Sequence, residues 1–200
     1  MSKTIDFIFD FASPNAYLAH KVMPEILQRT GAQLKLKPCL LGGIFKATGN
    51  QAPMVTFGPV KGKLDYERLE MARFIKKHGL ERFSFNTHFP VNTLIMMRAA
   101  IAAEADGRLT DYVEAGFKHM WEDGLKMDDP DVFSKAMDDA GFDGKRLLEQ
   151  TQDQAIKDVL MQNTAAAVER GAFGIPTFYV GDEMFFGKDR LPDLEAELGK

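Results

Sequence analysis

The sequence is poor in cysteine: Cys39 is the only one among 200 residues. A single thiol makes no internal disulfide and no C-x-x-C pair, so internal thiol–disulfide exchange is excluded. The chain needs no oxidising compartment, and a cytoplasmic location is expected. Long apolar runs are missing too. No stretch approaches the roughly 18 apolar residues of a membrane span. Asp6 and Asp10 interrupt the apolar start of the chain, so no signal core is expected either. Positive charge is not in excess. The formal net charge is -4 and no Lys/Arg cluster is interleaved with aromatics, so no nucleic-acid partner is expected.

Two nucleotide fingerprints, G-x-G-x-x-G and G-x-x-x-x-G-K-[ST], do not occur. His20, His78, His88 and His119 show no i, i+4 pairing and no acid at ligand spacing, so no metal site is expected. Asp128, Asp129 and Asp131 resemble a calcium loop, but Pro130 and the missing Gly and Glu break the pattern. Helix capping accounts for them better. What remains is an ordinary globular composition, 45% hydrophobic and 27% charged. Its length suits one core, or one domain carrying an insertion.

Residues Thr4 to Phe11 alternate, with Ile5, Phe7, Phe9 and Phe11 on one face and Asp6, Ile8 and Asp10 on the other; this predicts a strand. Ser13 then stands as a helix cap with Pro14 at the first helical position. Tyr17, Leu18, Val22, Ile26 and Leu27 supply the apolar stripe, and Gly31 the stop. Gln33 to Pro38 alternates again, completing a β-α-β unit with a parallel strand pair. Leu40 to Pro53 reads as loop around Gly42-Gly43 and Gly49-Asn50. From about Leu64 to Glu169 the signals are almost wholly helical. They comprise DYERLEMARFIKKHGL, then NTLIMMRAAIAAEADG capped by Asn92 or Thr93, then DYVEAGFKHMWEDG. A helix opened by Asp129-Pro130 follows, another after Gly144-Lys145, and a last one over Asp153 to Arg170. After Gly174, IPTFYVGDEMFFG predicts a hairpin turning at Gly181-Asp182. Asp189 then caps a final helix carrying Leu191, Leu194 and Leu198. The order is that of an α/β, thioredoxin-like domain, residues 1–60 and 172–200, with an inserted all-helical domain, 61–171.

Three strings now stand in register: FDFASPNAYLA (Phe9 to Ala19), LLGGIFKATGN (Leu40 to Asn50) and FGIPTFYVGDEMFFGKDRL (Phe173 to Leu191). Together they resemble the kappa-class glutathione transferases and the 2-hydroxychromene-2-carboxylate isomerases, in the DsbA-like branch of the thioredoxin superfamily. Disulfide oxidoreductases of that branch carry C-x-x-C at the start of the first helix. Here the same frame reads Ser13-Pro14-Asn15-Ala16, and a hydroxyl does not replace a thiolate in exchange chemistry.

The resemblance implies glutathione as cofactor, with Ser13 stabilising its thiolate at the helix N-terminus; the alternative is a plain N-cap. It implies a cis bond at Ile175-Pro176, leaving the Ile175 backbone to pair with the cysteinyl part of glutathione; the alternative is an ordinary trans proline at a strand start. Lys188, Asp189 and Arg190 would hold the γ-glutamyl end, Asp189 the ammonium and the two bases the carboxylate. Asn50 would reach the ligand and Lys46 a carboxylate, unless Gly49-Asn50 is only a turn. Phe89-Pro90-Val91-Asn92 would wall the second-substrate pocket. Cys39 is expected to be buried, not reactive.

The implied activity is isomerisation of 2-hydroxychromene-2-carboxylate type, by reversible thiol addition to an unsaturated aromatic carboxylate in aromatic degradation. A kappa-type transferase acting on electrophiles and a non-catalytic binding protein are the alternatives. A homodimer is implied as well.

Overall fold

The computed structural model describes residues 3–200; the first two residues of the expected 1–60 unit lie outside the described residues. The chain opens with β1 (Thr4–Phe9), α1 (Pro14–Thr30) and β2 (Gln33–Pro38). β1 and β2 pair in parallel, with Phe7 opposite Leu36. The strand stops two residues earlier than its alternation predicts. Its last carbonyl, on Phe9, accepts from Cys39, and the Asp10 carboxylate bends the chain by taking the N–H of Ala12. α1 is delimited as read: Ser13 caps it through its side chain, Pro14 opens it, and Gly31 closes it at φ 66°.

The segment after β2 differs from the expectation of a loop. It folds as α2 (Leu41–Thr48) and α3 (Pro53–Phe57). Gly42 and Gly43 read as breakers, but the second has a packing reason: a Cβ there would stand 3.0 Å from the Thr164 methyl group. α2 thus lies close against α9. The helical run continues with α4 (Lys63–Lys77), α5 (Leu94–Ala105), α6 (Leu109–Trp121), α7 (Pro130–Asp139), α8 (Gly144–Gln150) and α9 (Gln154–Glu169). Asp129 caps α7 through its side chain. The chain then returns as β3 (Thr177–Val180) and β4 (Glu183–Phe186). A single 3-10 turn (Lys188–Arg190) leads into α10 (Leu191–Leu198).

The sheet order is β2-β1-β3-β4. β3 runs antiparallel to β1, with Phe7 opposite Phe178, so both ends of the chain share one sheet. This is the thioredoxin-like fold with an all-helical insertion between its halves. Ile8 and Asp10 are buried along with Phe7 and Phe9, because both faces of the sheet are covered. The Phe7 and Phe178 rings stack at 4.7 Å. Beyond the strand, Phe11 packs edge-on to Phe117 at 4.9 Å, and Trp121 donates its indole N–H to the Phe11 carbonyl at 2.8 Å. α6 is thereby tied to the turn that precedes α1.

Among the described residues no helix is long and apolar enough to cross a membrane. One expectation at the C-terminus is corrected. Asp189 is not a helix cap: α10 begins at Leu191, its cap position is Arg190, and no side chain caps it. The Lys188 ammonium draws the Asp189 carboxylate to itself.

The contact of α6 with the turn before α1 is tight enough to test. A Cβ added at Gly116 would stand 2.6 Å from the Phe11 ring. Gly116→Ala is expected to destabilise the protein by about 1–3 kcal/mol through overpacking, read as a lower urea midpoint at unchanged slope. An unchanged midpoint contradicts the packing described.

Candidate functional site

Ser13 is the centre of the candidate site. It is 5% exposed, at the end of the turn that leaves β1. Its N–H donates to the Asp10 carbonyl at 3.1 Å. Its hydroxyl accepts from the Ala16 N–H at 3.2 Å, a local N-cap bond. The same hydroxyl donates to the Ile175 carbonyl at 3.1 Å, across 162 positions of sequence. The pairing of β1 with β3 brings these two residues together. The Ile175-Pro176 peptide bond is cis, as is Phe89-Pro90.

The remaining residues singled out in the sequence divide into two groups around this pair. The Asn50 side-chain N–H donates to the Phe173 carbonyl at 2.7 Å, two residues before Ile175, while its oxygen accepts from Gln51 at 2.8 Å. Asn50 therefore does stand beside the Ile175 segment, and it also closes a turn. Lys46, in the last turn of α2, is exposed.

On the other side, the Gly187 N–H donates to the Pro176 carbonyl at 2.9 Å, which sets the Lys188–Arg190 turn next to the cis proline. Within that turn the three charges are engaged. Lys188 is 4% exposed; its ammonium meets Asp189 at 2.7 Å and lies 5.0 Å from the centre of the Phe74 ring. The two residues assigned to opposite ends of a γ-glutamyl group thus hold each other. Arg190 pairs with Asp193 at 3.0 Å on the surface.

Two side chains that the sequence reading passed over also belong to this region. Asp10 is 1% exposed, and its carboxylate accepts from Ala12 N–H (2.9 Å), Leu41 N–H (2.8 Å) and the Thr93 hydroxyl (2.6 Å). Burial pushes its carboxyl up from the usual carboxylate range, and the three hydrogen bonds oppose that rise. In the sequence Asp10 registers only as a charge interrupting an apolar run. Thr93 sits at the cap position of α5, yet its hydroxyl goes to Asp10. Asn92 instead accepts from the Leu94 N–H at 3.1 Å. In the first turn of α1, the side-chain oxygen of Asn15 is buried with no hydrogen-bond partner.

Two histidines do have acid partners: one comes from a distant segment, and the other stands four positions on, against the expectation of no acid at such spacing. His20 meets Glu114 at 2.9 Å, and His119, in the last turn of α6, meets Asp123 just beyond that helix at 2.8 Å. Among the described residues no group of three or more His, Cys, Asp or Glu is placed to hold a metal ion.

Cys39 is buried, and its S–H donates to the Asn163 carbonyl at 3.4 Å. Burial, reinforced by the charge of Asp10, pushes this thiol up to about 12. The native protein is expected to react with iodoacetamide at mildly alkaline pH at least about a thousandfold more slowly than an exposed cysteine, and at the ordinary rate once unfolded in urea. Ordinary reactivity in the native state contradicts this assignment.

Comparison with known proteins identifies the family. A family model described as the DSBA-like thioredoxin domain matches residues 4–199. A 2-hydroxychromene-2-carboxylate isomerase of Sphingobium xenophagum is 30% identical over 198 residues, covering 99% of both chains. The human glutathione S-transferase kappa 1 is 26% identical, covering all of this chain and 92% of its own. Among solved structures, a 2-hydroxychromene-2-carboxylate isomerase superposes with a TM-score of 0.85 at 29% identity, over 98% of this chain and 94% of that one. The chain belongs to the DSBA-like thioredoxin-domain family, within its group of 2-hydroxychromene-2-carboxylate isomerases and kappa-class glutathione transferases.

Proposed function

We propose that this protein is a glutathione-dependent isomerase of the 2-hydroxychromene-2-carboxylate type, in which Ser13 stabilises a thiolate. One observation carries the reading: a hydroxyl at a helix N-terminus shares its hydrogen bonds between Ala16 and the carbonyl ahead of a cis proline. The 30% identical isomerase relative favours isomerisation over transfer.

The residues present suit the tripeptide. The unpartnered Asn15 oxygen is an acceptor in want of a donor, next to Ser13 in the first turn. The Ile175 carbonyl can take a ligand amide N–H in place of the Ser13 hydroxyl, as in strand addition. A hydroxyl rotates freely, so that exchange releases the Ser13 O–H to point at a sulfur. The Ala12 and Ser13 N–H groups are already held by Asp10, Pro14 has none, and the Ala16 N–H goes to the Ser13 hydroxyl, so that hydroxyl and the Asn15 N–H are the donors this turn has to offer. The positive end of α1 adds to it. Glutathione, when bound, supplies a thiol that adds to an unsaturated aromatic carboxylate and leaves again after bond rotation.

Asn50 stands beside the Ile175 segment, and Lys46 lies one turn ahead of it at the end of α2; in this reading they offer a substrate carboxylate an amide and a cation. On the Pro176 side, Asp189 and Arg190 serve a γ-glutamyl ammonium and carboxylate. Lys188, buried under Phe74, holds Asp189 in place. Division of the chain into a thioredoxin-like unit (1–60 and 172–200) and a helical unit (61–171), a cytoplasmic location and a homodimeric state are proposed on the same footing.

A charge-assisted hydrogen bond contributes about 1.5–3 kcal/mol, and one pKa unit corresponds to about 1.4 kcal/mol. Ser13→Ala is therefore expected to raise the pKa of the bound thiol by roughly one to two units. The readout is the ultraviolet absorbance of the thiolate, titrated on the glutathione complex. Turnover at neutral pH should fall at least about tenfold, and glutathione should be recovered unconsumed. An unchanged thiol titration contradicts the role of Ser13; stoichiometric loss of glutathione to product contradicts the isomerase reading and favours a transferase.

A further inference from the structure

The Asp10 carboxylate joins three segments far apart in sequence. One oxygen takes the Ala12 N–H and the Thr93 hydroxyl; the other takes the Leu41 N–H. Each segment leads to part of the candidate site. Ala12 immediately precedes Ser13. Leu41 is the first residue of α2, which carries Lys46 and ends just ahead of Asn50. Thr93 follows the Phe89–Asn92 stretch and opens α5. The main-chain carbonyl of Asp10 also accepts from Ser13 itself. Asp10 therefore holds the turn by both its side chain and its backbone.

A carboxylate at this depth is a costly choice for a core. Desolvation disfavours the charge, and well-packed apolar side chains often serve stability as well as a buried ionic group does. The fold has local alternatives for part of the job, since Asn92 already accepts the first free N–H of α5. What no neutral side chain of this size supplies is acceptors on both branches. An asparagine here would set an amide N–H against either the Leu41 N–H or the Ala12 N–H, donor against donor.

We propose that Asp10 is a positioning residue for the Ser13 hydroxyl, locking the 10–13 turn, the start of α2 and the start of α5 into the one register in which that hydroxyl faces Ile175 and a ligand sulfur. The proposal rests on the glutathione reading given above. It also has a signed consequence. As an anion close to the turn, Asp10 acts electrostatically against a thiolate, so any benefit it confers on thiolate formation is geometric. Removing its charge alone lowers the thiol pKa; loosening its grip raises it.

The test uses the full chain with glutathione bound and titrates the thiolate absorbance, with thermal unfolding measured in parallel. Thr93→Val removes the 2.6 Å donor at nearly constant size, and Thr93→Ser restores it. Asp10→Asn perturbs the whole hub. If Asp10→Asn does not fold, the Thr93 pair decides alone. The expected result is a rise in bound-thiol pKa of about half to one unit in Thr93→Val, roughly three- to tenfold less thiolate near neutrality. Thr93→Ser should titrate as the wild type, and Asp10→Asn, where the lost charge acts against the lost geometry, should still shift upward. A folded Thr93→Val that loses thermal stability but titrates as the wild type overturns the proposal and leaves Asp10 a stability residue. A fall in thiol pKa overturns it too, since charge and not geometry is then what the sulfur senses. If wild-type protein itself shows no lowered thiol pKa, the glutathione reading fails first and the positioning role falls with it.

Discussion

The hydrogen bond from Ser13 to the Ile175 carbonyl is where the two halves of the chain meet chemically. It exists because β3, which begins two residues after Ile175, inserts beside β1 in antiparallel register. Side chains alternate along a strand, so a one-residue slip in that pairing turns every β3 side chain to the opposite face. The buried Phe7–Phe178 stack holds the register against such a slip. The helical insertion is compatible with this because it leaves after β2 and returns ahead of β3, both at the same sheet. The site is therefore a product of sheet pairing, and α6 reinforces it by binding the Phe11 carbonyl through Trp121.

The turn ahead of α1 presents a hydroxyl, a proline and an amide, and no cysteine. The physical role of the helix N-terminus does not depend on a cysteine, because partial positive charge acts on any anion brought to it. In the proposed reading the sulfur then comes from a ligand. The chain's own thiol does not compete for the role, since Cys39 is buried, hydrogen-bonded to a carbonyl and pushed up to about 12.

Much of this was legible in the residues. Alternation marks β1 and β2, and Gly181-Asp182 the hairpin; Ser13-Pro14 and Gly31 mark the ends of α1; Asp129-Pro130 marks the start of α7. These are local signals, fixed by neighbours within a few positions. The misses share a cause of the opposite kind. Gly42 and Gly43 read as loop because the Thr164 methyl group that crowds Gly43 comes from α9, more than a hundred residues on. Asp10 read as a charge on a strand face because its partners Leu41 and Thr93 are 31 and 83 positions away. Asp189 read as a cap because nothing local announces that Lys188 will be buried under Phe74 and claim its carboxylate. Sequence pattern reports short-range chemistry well, whereas a buried polar hub is visible only once the chain has closed on itself.

The central claim is that the turn ahead of α1 holds the sulfur of a bound tripeptide. A crystal structure of the protein with reduced glutathione tests it most directly. The account predicts the sulfur within hydrogen-bonding distance of the Ser13 hydroxyl, with the cysteinyl N–H of the ligand on the Ile175 carbonyl. A tripeptide bound with its sulfur away from Ser13, or a turn left empty at saturating glutathione, contradicts it.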